Sequence, residues 1–560
     1  MNEVLAANMA ALATRSRSLA AAVQNAPSHP DLAFLTSRSG ESVPMIEIDG
    51  RKVTFHSRYA PIVEAQRRFE QTGPAGFVVF LGLGAGYHIN PFLESAEFEA
   101  GVIIEYDERI VRALLGAFPL VPILADARLE LLIDPTPDEV NSAVCRAFLP
   151  VVTERFSVVP LDGRVRLARE AFARASAAAR AAAEAQIADF TVQRRLGLRW
   201  TSNSLANIAN AVETRAFSAF ADHDRFQSNW RRDSRTRLGR VAIVGAGPTL
   251  EDNLAEIANA DTVLSTDTAL PALVAYGLMP DMVVSVDAQI YSYHHLLCSR
   301  MTEVPWFLDL AACPSVSRRV NRLFFVGSHP LSRLIAAWFY PMLTLPRPGG
   351  NVTQTALSLA YTAGADAVDI YGADFSYPNG KPYARGTYLN RYFESRANRY
   401  APTEGVLLGF ARDADSAYRV TDAADCEYRT PSLDAYRIEI TEFAATLPIR
   451  VTRHNERRPP HNSSRTTARR AIPPPHTPIR EPDERLTELW FAFLERYHTA
   501  LRSLPRPSAP VSRWFRSLDG DHAAAAATIL PPLAAHDTRG VEDVSTAVTW
   551  CLDRVERHMQ

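Results

Sequence analysis

A glycine-rich turn, GAGPTL over residues 245–250, directly follows the apolar run RVAIV and could bind an anion. Pro248 fixes the turn and removes one backbone donor, while Thr249 can cap the helix that follows. The remaining N–H groups of the loop would then point at an anion such as a phosphate. The sequence therefore predicts an anion site with Gly245, Gly247, Pro248 and Thr249 in the loop, although a plain βα turn would leave the same pattern.

Carboxylates recur at the other strand ends of the same region. Asp267, Asp287 and Asp374 each follow a short run rich in Val, Ile or Leu. The carboxyl ends of parallel strands are where an open sheet binds its ligand, but an aspartate such as Asp374, placed after a glycine, often only caps its own loop. A second glycine turn, GGNVT, opens a helix. It adds three candidate binding residues, Gly350, Asn351 and Thr353.

Another glycine loop lies earlier in the chain. Gly82, Gly84 and Gly86 follow the strand FVVFL, and Glu105 closes the next strand. This spacing lets backbone N–H groups approach a nucleotide while a carboxylate holds ribose hydroxyls, and it resembles the S-adenosylmethionine loop of methyltransferases. Rossmann-like domains also keep such glycines only for tight packing of a strand against a helix. Both interpretations stay open from the sequence.

The elements that position these motifs alternate between strands and helices. GFVVFLGLGAGY followed by GVIIEYDERIVRALL is a βαβ unit, which indicates a parallel sheet. The expected fold class is α/β, with two Rossmann-like parallel-sheet domains joined by helices and a C-terminal helical region. Seven prolines between Pro459 and Pro482 are typical of a linker. The predicted divisions are a first α/β domain at 1–164, a helical connector at 165–236, the central α/β domain at 237–456, a linker at 457–482 and helices at 483–560.

Composition agrees with a globular protein of several domains. A chain of 560 residues is too long for one hydrophobic core. Its 60 basic and 62 acidic residues leave a formal net charge of -2, which fits neither a disordered chain nor a bulk nucleic-acid binder. The longest apolar runs are shorter than the roughly 18 residues that span a bilayer, and the N-terminal stretch lacks the apolar core of a signal peptide. We therefore expect a soluble cytoplasmic protein.

Two residue types have an unusual distribution. Only Lys52 and Lys381 among the 60 basic residues are lysines. Arginine replaces lysine readily on a solvated surface but not where a compact ammonium is needed. Lys381 falls in the segment DFSYPNGKPYA, whereas Lys52 lies in an ordinary turn, IDGRKVTF. The five cysteines stand singly, which argues against a zinc site or a disulfide framework.

Together these motifs resemble the motility accessory factor (Maf) family of flagellin glycosyltransferases, whose central domain is shared with MptE-like 6-hydroxymethylpterin diphosphokinases. The resemblance covers most of the chain: FHSRYAPIVEAQ and GLGAGYH, then GAGPTL, PDMVVSVD, GGNVTQTAL and GADFSY. The family is also distantly similar to bacterial sialyltransferases that use CMP-sialic acid. Their GNGPSL loop and GIDFYxNGxxYA segment correspond here to GAGPTL and DFSYPNGKPYA.

The resemblance implies a catalytic role for the tyrosine segment. Tyr377 and Tyr383 occupy places similar to those of two tyrosines that hydrogen-bond the leaving phosphate. Phenol donors can stabilise departing CMP without a metal. Lys381, between them, would add a full positive charge. The two glycine turns would hold the nucleotide, and Asp374 would fix the turn.

Two departures limit what carries over from the sialyltransferases. Ala246 replaces the loop asparagine, and Asp267 and Asp287 replace two strand-end asparagines. These aspartates would repel a phosphate, but they could orient ribose or the sugar, hold a cytosine amino group or bind Mg2+.

The general base is the second departure. In the sialyltransferases it is a histidine downstream of the tyrosine segment, and no histidine occurs between Tyr383 and His454. His294 and His295 follow Asp287 and are candidates, although a histidine on a helix near a site is more often structural than catalytic.

The leading hypothesis from the resemblance is an inverting glycosyltransferase. It would move a nonulosonic acid, pseudaminic- or legionaminic-like, from a CMP donor to Ser or Thr of flagellin or a related surface protein. Its partners would be the CMP-sugar and the acceptor protein, with no nucleic acid and no membrane span. No cofactor would be required, although Mg2+ could take part.

Three alternatives stay open. One is Mg2+-dependent pyrophosphate transfer from ATP to a pterin alcohol. Another is a flagellin-binding accessory protein without catalysis. A methyltransferase ranks last, because no catalytic motif accompanies the first glycine loop.

Overall fold

The computed structural model describes the chain except residues 1–2, 49, 154, 215–237, 300, 347–349, 415, 421–425, 456–483, 509–510 and 537–540. The chain divides into two compact units. The first contains Met1–Gly197 and Leu504–Trp550, and the second contains Leu198–Ser503 and Cys551–Gln560. The predicted linker and residues 215–236 of the predicted connector lie outside the described residues. The five-part division of the chain stays a prediction.

Two sheets build the first unit. Its described strands are β1 Leu32–Thr36, β2 Ser42–Ile48, β3 Arg51–Thr54, β4 Phe77–Leu81, β5 Ala100–Glu105, β6 Leu129–Ile133 and β7 Phe156–Pro160. The first three form an antiparallel sheet, and the others form a parallel sheet in the order β6-β5-β4-β7. The chain therefore passes from β4 to β5 on one side and returns to β7 on the other.

Apolar residues cover both faces of the parallel sheet. All five residues of β4 are buried, because Val78 and Phe80 face one core while Phe77 and Val79 face another. Such continuous apolar strands are typical of parallel sheets with helices on both faces. Phe172 and its alanine neighbours belong to the second core, and their small side chains let that helix lie close to the sheet.

The helices of the first unit are mostly short, and one long helix continues into the second unit. They are α1 Glu3–Arg15, α2 Arg17–Asn25, α3 Pro61–Thr72, α4 Asn90–Glu94, α5 Glu108–Ala117, α6 Val121–Leu124, α7 Pro137–Ala147, α8 Pro150–Thr153, α9 Asp162–Val165 and α10 Arg169–Glu213. Leu504–Trp550 adds the C-terminal helices Val511–Ser517, Gly520–Ala527 and Leu530–His536.

A larger parallel sheet forms the centre of the second unit. Its described strands are β8 Arg240–Val244, β9 Thr262–Thr266, β10 Met282–Ser285, β11 Pro305–Asp309, β12 Asn321–Val326, β13 Leu343–Thr344, β14 Ala367–Tyr371 and β18 Arg450–His454. They pair in the order β13-β12-β11-β10-β9-β8-β14-β18, with every pair parallel. A small antiparallel sheet contains β15 Tyr377–Pro378, β16 Tyr418–Arg419 and β17 Glu427–Arg429.

The helices of the second unit lie between these strands and after the last of them. They are α11 Leu254–Ala258, α12 Leu270–Ala275, α13 Tyr291–Ser299, α14 Pro314–Ser317, α15 Pro330–Trp338, α16 Val352–Thr362, α17 Tyr388–Arg396, α18 Thr403–Asp413, α19 Pro431–Thr446 and α20 Glu484–Arg502. Val511–Ser517, Gly520–Ala527 and Leu530–His536 are then α21, α22 and α23, and the chain ends in α24, Val541–Met559. Among the described helices, none is long and apolar enough to cross a bilayer.

The predicted α/β class with parallel sheets is confirmed. Strand β8 has β9 on one side and β14 on the other, so the chain reverses its direction across the sheet at this strand. Open α/β sheets bind ligands at the carboxyl ends of the strands where the order reverses. The loops after β8 and β14 therefore mark the expected site of the second unit.

Candidate active site

The loops after β8 and β14 interlock through their glycines. The Gly245 N–H donates to the Tyr371 carbonyl oxygen at 2.8 Å, and the Gly247 N–H donates to that of Gly372 at 2.7 Å. A Cβ atom at Gly245 would lie 2.5 Å from the Gly372 carbonyl oxygen. The close approach of the two loops explains why glycines occupy these positions.

Asp374 caps the turn that follows the glycine loop after β8. Its Oδ2 accepts the Thr249 N–H at 3.1 Å, and its Oδ1 accepts the Thr249 hydroxyl. The prediction that Thr249 caps this helix is therefore wrong, because the cap comes from the neighbouring loop. Asp374 therefore caps the turn after β8, and its role as a substrate-binding residue stays a prediction.

Most N–H groups of the glycine loop after β8 already have hydrogen-bond acceptors within the protein. The N–H groups of Gly245, Gly247 and Thr249 are bonded as described, and that of Leu250 donates to the Gly247 carbonyl oxygen at 3.1 Å. The expectation of several loop N–H groups pointing at an anion is wrong, since these four are already used. A binding role for Gly245, Gly247, Pro248 and Thr249 stays a prediction.

The glycine loop also holds the tyrosine segment in place. The Ala246 carbonyl oxygen accepts the Ala384 N–H at 2.8 Å, directly after Tyr383. The rings of Tyr377 and Tyr383 both lie beside the ring of Phe410, and their centroids are 6.3 and 6.5 Å from the Phe410 centroid. The structure therefore brings the two predicted phenols together beside the loop after β8.

Lys381 lies in the tight turn between the two tyrosines. Asn379 and Gly380 have positive φ, and the Gly380 N–H donates to the Tyr377 carbonyl oxygen at 3.1 Å. The Lys381 side chain is half-buried and has no ion-pair partner among the described residues. Its ammonium is available to an anionic ligand.

Burial keeps both phenols protonated. It raises the pKa of Tyr377, and burial together with the neighbouring Tyr377 raises the pKa of Tyr383 to about 12. A protonated phenol can donate a hydrogen bond, as contact with a phosphate oxygen requires.

Asp267 and Asp287 follow β9 and β10 at the same edge of the sheet. Asp267 is buried, and its Oδ2 accepts the Ser285 hydroxyl at 2.6 Å. The Oδ1 of Asp287 accepts the Gln289 N–H at 2.9 Å. Burial raises the pKa of Asp287, and the Asp267 carboxylate raises it further. The two predicted aspartates are therefore electrostatically coupled.

His295 is the functional candidate that sequence reasoning could not single out. It lies on α13, is 5% exposed, and its Nδ1 has no hydrogen-bond partner among the residues that the structure describes. Burial lowers the pKa of this imidazole, while Asp267 and Asp287 act in the opposite direction. A neutral ring near two carboxylates can accept a proton. In the sequence, only the position of the His294-His295 pair after the strand-end Asp287 indicated that a histidine could belong to the site.

Tyr388 connects the histidines to the tyrosine segment. It begins α17, five residues after Tyr383. Its ring stacks on His294 with centroids 4.8 Å apart, and it lies edge-on to His295 at 5.9 Å. The helix after the tyrosines thus packs against the helix after Asp287.

The start of α16 supplies the remaining candidates. This helix packs on β8–β10 and leads back to β14, so its N-terminus lies at the carboxyl edge of the sheet. Asn351 caps it by accepting the Gln354 N–H at 2.9 Å, and its buried Nδ2 has no hydrogen-bond partner among the residues described. Gly350 lies near Tyr436, and Thr353 is buried in the first turn.

The side chains available as metal ligands limit how a metal ion could bind. Within the described ranges, no group of three or more His, Cys, Asp or Glu side chains is placed to hold a metal ion. Mg2+ commonly takes only one or two carboxylates and completes its shell with substrate phosphates and water. Asp267 and Asp287 fit that mode, so a role for Mg2+ stays a prediction.

The first glycine loop is filled by the protein's own side chains. Glu105 accepts the Leu83 N–H at 2.9 Å and forms an ion pair with Arg164 at 2.8 Å, with both side chains buried. His56 accepts the Ala85 N–H at 2.9 Å. The groups that would hold a nucleotide are engaged within the protein, which favours the packing interpretation of this loop.

Comparison with known proteins gives a family model, two relatives and a solved structure. The family model, 6-hydroxymethylpterin diphosphokinase MptE-like, matches residues 207–380. Two uncharacterized proteins of Treponema pallidum (strain Nichols) are 40% identical over 115 residues and 33% identical over 109 residues. The matches cover 20% and 19% of this chain and 41% and 45% of those proteins, so the chain spans less than half of these relatives.

The solved structure matches along the whole chain. It is the Maf glycosyltransferase from Magnetospirillum magneticum AMB-1, with a TM-score of 0.60 and 14% sequence identity. The match covers 100% of this chain and 95% of that one. The resemblance stated from the sequence is confirmed: this chain has the fold of a Maf glycosyltransferase around an MptE-like segment.

Proposed function

We propose that this chain is a cytoplasmic, inverting glycosyltransferase. It moves a nonulosonic acid from a CMP donor to Ser or Thr of flagellin or a related surface protein. The observation that supports this most is the clustering of candidates at the switch point of the eight-stranded sheet. Two protonated phenols lie beside the loop after β8, together with a lysine that has no ion-pair partner in the described part of the chain, and the chain has the fold of a Maf glycosyltransferase.

The phenols and the lysine act on the leaving group. As the bond from the sugar to the CMP phosphate oxygen breaks, the sugar becomes oxocarbenium-like and negative charge builds on the phosphate. Tyr377 and Tyr383 donate hydrogen bonds to that phosphate, and Lys381 adds a positive charge. The raised pKa values of both tyrosines keep these donors protonated.

His295 accepts the proton of the acceptor. A serine or threonine hydroxyl forms the new bond to the sugar, and its proton passes to the neutral imidazole. The Nδ1 of His295 has no hydrogen-bond partner within the described ranges, which supports this role. Asp267 and Asp287 orient ribose or sugar hydroxyls, because carboxylates accept hydrogen bonds from hydroxyl groups.

The intact mass of flagellin tests the reaction class. Flagellin made with the active chain should be heavier, by whole multiples of a nonulosonic acid residue, than flagellin made without it. An unchanged mass would overturn the proposed transfer. A Tyr383→Phe and Lys381→Met double variant separates catalysis from an accessory role, since glycosylation that survives both changes would show that this site is not catalytic.

The role of His295 has its own test. We expect His295→Gln to lower kcat by about 100-fold or more, with little change in the KM of the donor. Because burial lowers the pKa of this ring, the wild-type rate should stay level as the pH falls from 8 to 7 and drop only in acid. His294→Gln is the matched control. A His295→Gln variant with normal kcat would remove the residue from the mechanism.

Pyrophosphate transfer is a second candidate function. The MptE-like match over residues 207–380 favours it, as does the pair of aspartates that could share a Mg2+ ion with substrate phosphates. Binding of ATP instead of CMP, together with a strict requirement for Mg2+, would favour this function over glycosyl transfer.

A further inference from the structure

A cavity of about 230 Å3 lies in the first unit, at the switch point of its parallel sheet. Two motifs that the proposed function leaves unused, FHSRYAPIVEAQ and GLGAGYH, meet at its wall. His56 and Glu64 come from the first motif and His88 from the second, while Leu161 directly follows β7. Because β4 lies between β5 and β7, this is where such a sheet is expected to bind a ligand.

The two histidines supply opposite hydrogen-bonding groups. His56 Nε2 accepts the Ala85 N–H at 2.9 Å, so the proton of its neutral ring lies on Nδ1. His88 Nε2 lies 3.1 Å from the Gly82 carbonyl oxygen, which can only accept, so its Nδ1 is an acceptor. That Nδ1 is buried and has no hydrogen-bond partner in the part of the chain that the structure describes. Burial lowers the pKa of both rings, that of His88 to about 3, so both are neutral at pH 7.

Two arginines add positive charge to the wall. Arg166 has no ion-pair partner within the described part of the chain. Arg68 pairs with Asp162, but this pair is partly exposed and leaves most donors of the guanidinium free. Glu64 is engaged, because its Oε2 accepts the Ser57 N–H at 2.8 Å. The wall therefore combines two guanidinium groups with the carboxylates of Glu64 and Asp162, both of which already accept hydrogen bonds, and with the Nδ1–H donor of His56.

We propose that this cavity binds a small hydroxylated anion, a sugar phosphate or a sugar acid. Arg68 and Arg166 contact its anionic group, and the Nδ1–H of His56 contacts a hydroxyl. The volume equals that of about eight liquid waters, which suits a sugar monophosphate and is smaller than the roughly 300–1,000 Å3 of pockets for larger ligands. The inference does not rest on glycosyl transfer, since all the lining residues belong to the first unit.

Calorimetric titration of the full chain tests the proposal with three probes: glucose 6-phosphate, gluconate and glucose. We expect at least one of the two anions to bind and neutral glucose not to bind. Binding of glucose 6-phosphate alone assigns a phosphate as the anionic group, and binding of gluconate alone assigns a carboxylate. If neither anion binds, or if glucose binds equally well, the proposal is overturned.

Variants locate the binding in this cavity. Arg166→Met and Arg68→Met should each weaken binding of the anion by about tenfold or more, since each removes a charged hydrogen bond. Arg67→Met is the matched control, because Arg67 is exposed on the same helix and does not line the cavity. Equal affinity in Arg166→Met and in the control would contradict the proposal, and thermal melting of each variant shows that it is folded.

Discussion

Lys381 shows how a single residue type can point to a site. The chain has 60 basic residues, of which two are lysines, so 58 are arginines. Lys381 lies between two half-buried tyrosines, and its ammonium has no ion-pair partner within the described residues. A compact ammonium contacts a phosphate as a point charge, which a planar guanidinium does not reproduce.

Replacing Lys381 should affect donor use more than folding. We expect Lys381→Met to lower kcat/KM for the donor by roughly 10- to 100-fold, which corresponds to the about 1.5–3 kcal/mol of a hydrogen bond to a charged group. The midpoint of urea unfolding should move little. Lys52→Met, at the other lysine of the chain, serves as the control. Similar kinetic losses in both variants would argue against a phosphate contact.

His329 provides a prediction about acid stability. It is buried after β12, and neither ring nitrogen has a hydrogen-bond partner among the described residues. Burial lowers its pKa to about 3. The unfolded chain has an ordinary histidine pKa near 6.5. Below pH 6.5 the unfolded state therefore binds a proton that the folded state does not, and stability is lost as the pH falls.

The size of this effect can be measured. Between pH 8 and pH 5, His329 should cost the folded protein about 2 kcal/mol. His329→Gln should remove that part of the pH dependence of the free energy of unfolding, measured with urea at both pH values. The same change at exposed His536 should leave the pH dependence intact. If His329→Gln leaves the difference in the free energy of unfolding between pH 8 and pH 5 unchanged, the His329 ring is protonated in the folded state at pH 5.

At the scale of elements, the two interlocked loops decide the geometry of the candidate site. Gly372 has a φ of +63°, and a Cβ there would meet the Gly245 carbonyl oxygen. The sequence predicted a tight turn after β8 but not the partner of that turn. Asp374 and Thr249 are 125 residues apart in the chain, so no local pattern links them.

Gly372→Ala should disrupt this arrangement. We expect a loss of at least about 2 kcal/mol, because a left-handed residue costs about 1–2 kcal/mol and the backbone contact adds to it. Gly409→Ala is the control, since Gly409 lies in α18 with nothing within 4 Å of a new Cβ. That change should stabilise the chain by about 0.5–1 kcal/mol. Chemical denaturation measures both, and equal stabilities would contradict the interlocking.

At the scale of the whole molecule, two Rossmann-like sheets use their glycine loops differently. In the first unit, Glu105 and His56 occupy the loop N–H groups after β4. In the second unit, the loop after β8 holds the tyrosine segment through Ala246 and Ala384. Similar glycine motifs thus serve packing in one unit and positioning in the other, which the motifs alone do not distinguish.

Ligand-dependent melting should reflect this difference. CMP should raise the melting temperature of the full chain, because a ligand at 100 times its Kd stabilises by about 2.7 kcal/mol. S-adenosylmethionine at the same concentration should not. The Tyr383→Phe and Lys381→Met double variant should lose most of the CMP effect. A rise with S-adenosylmethionine would show that the first glycine loop can open to a nucleotide.

The sequence by itself determined the α/β class, the glycine turns and the tyrosine segment. Hydrophobic periodicity and backbone conformation depend on neighbouring residues, so a local pattern records them. Only the tertiary structure decided that Asp374 caps Thr249, that His295 is buried beside Asp267 and Asp287, and that two unused motifs enclose a cavity. Strand order and burial arise from packing between distant segments, and they set both the partners and the pKa of each side chain.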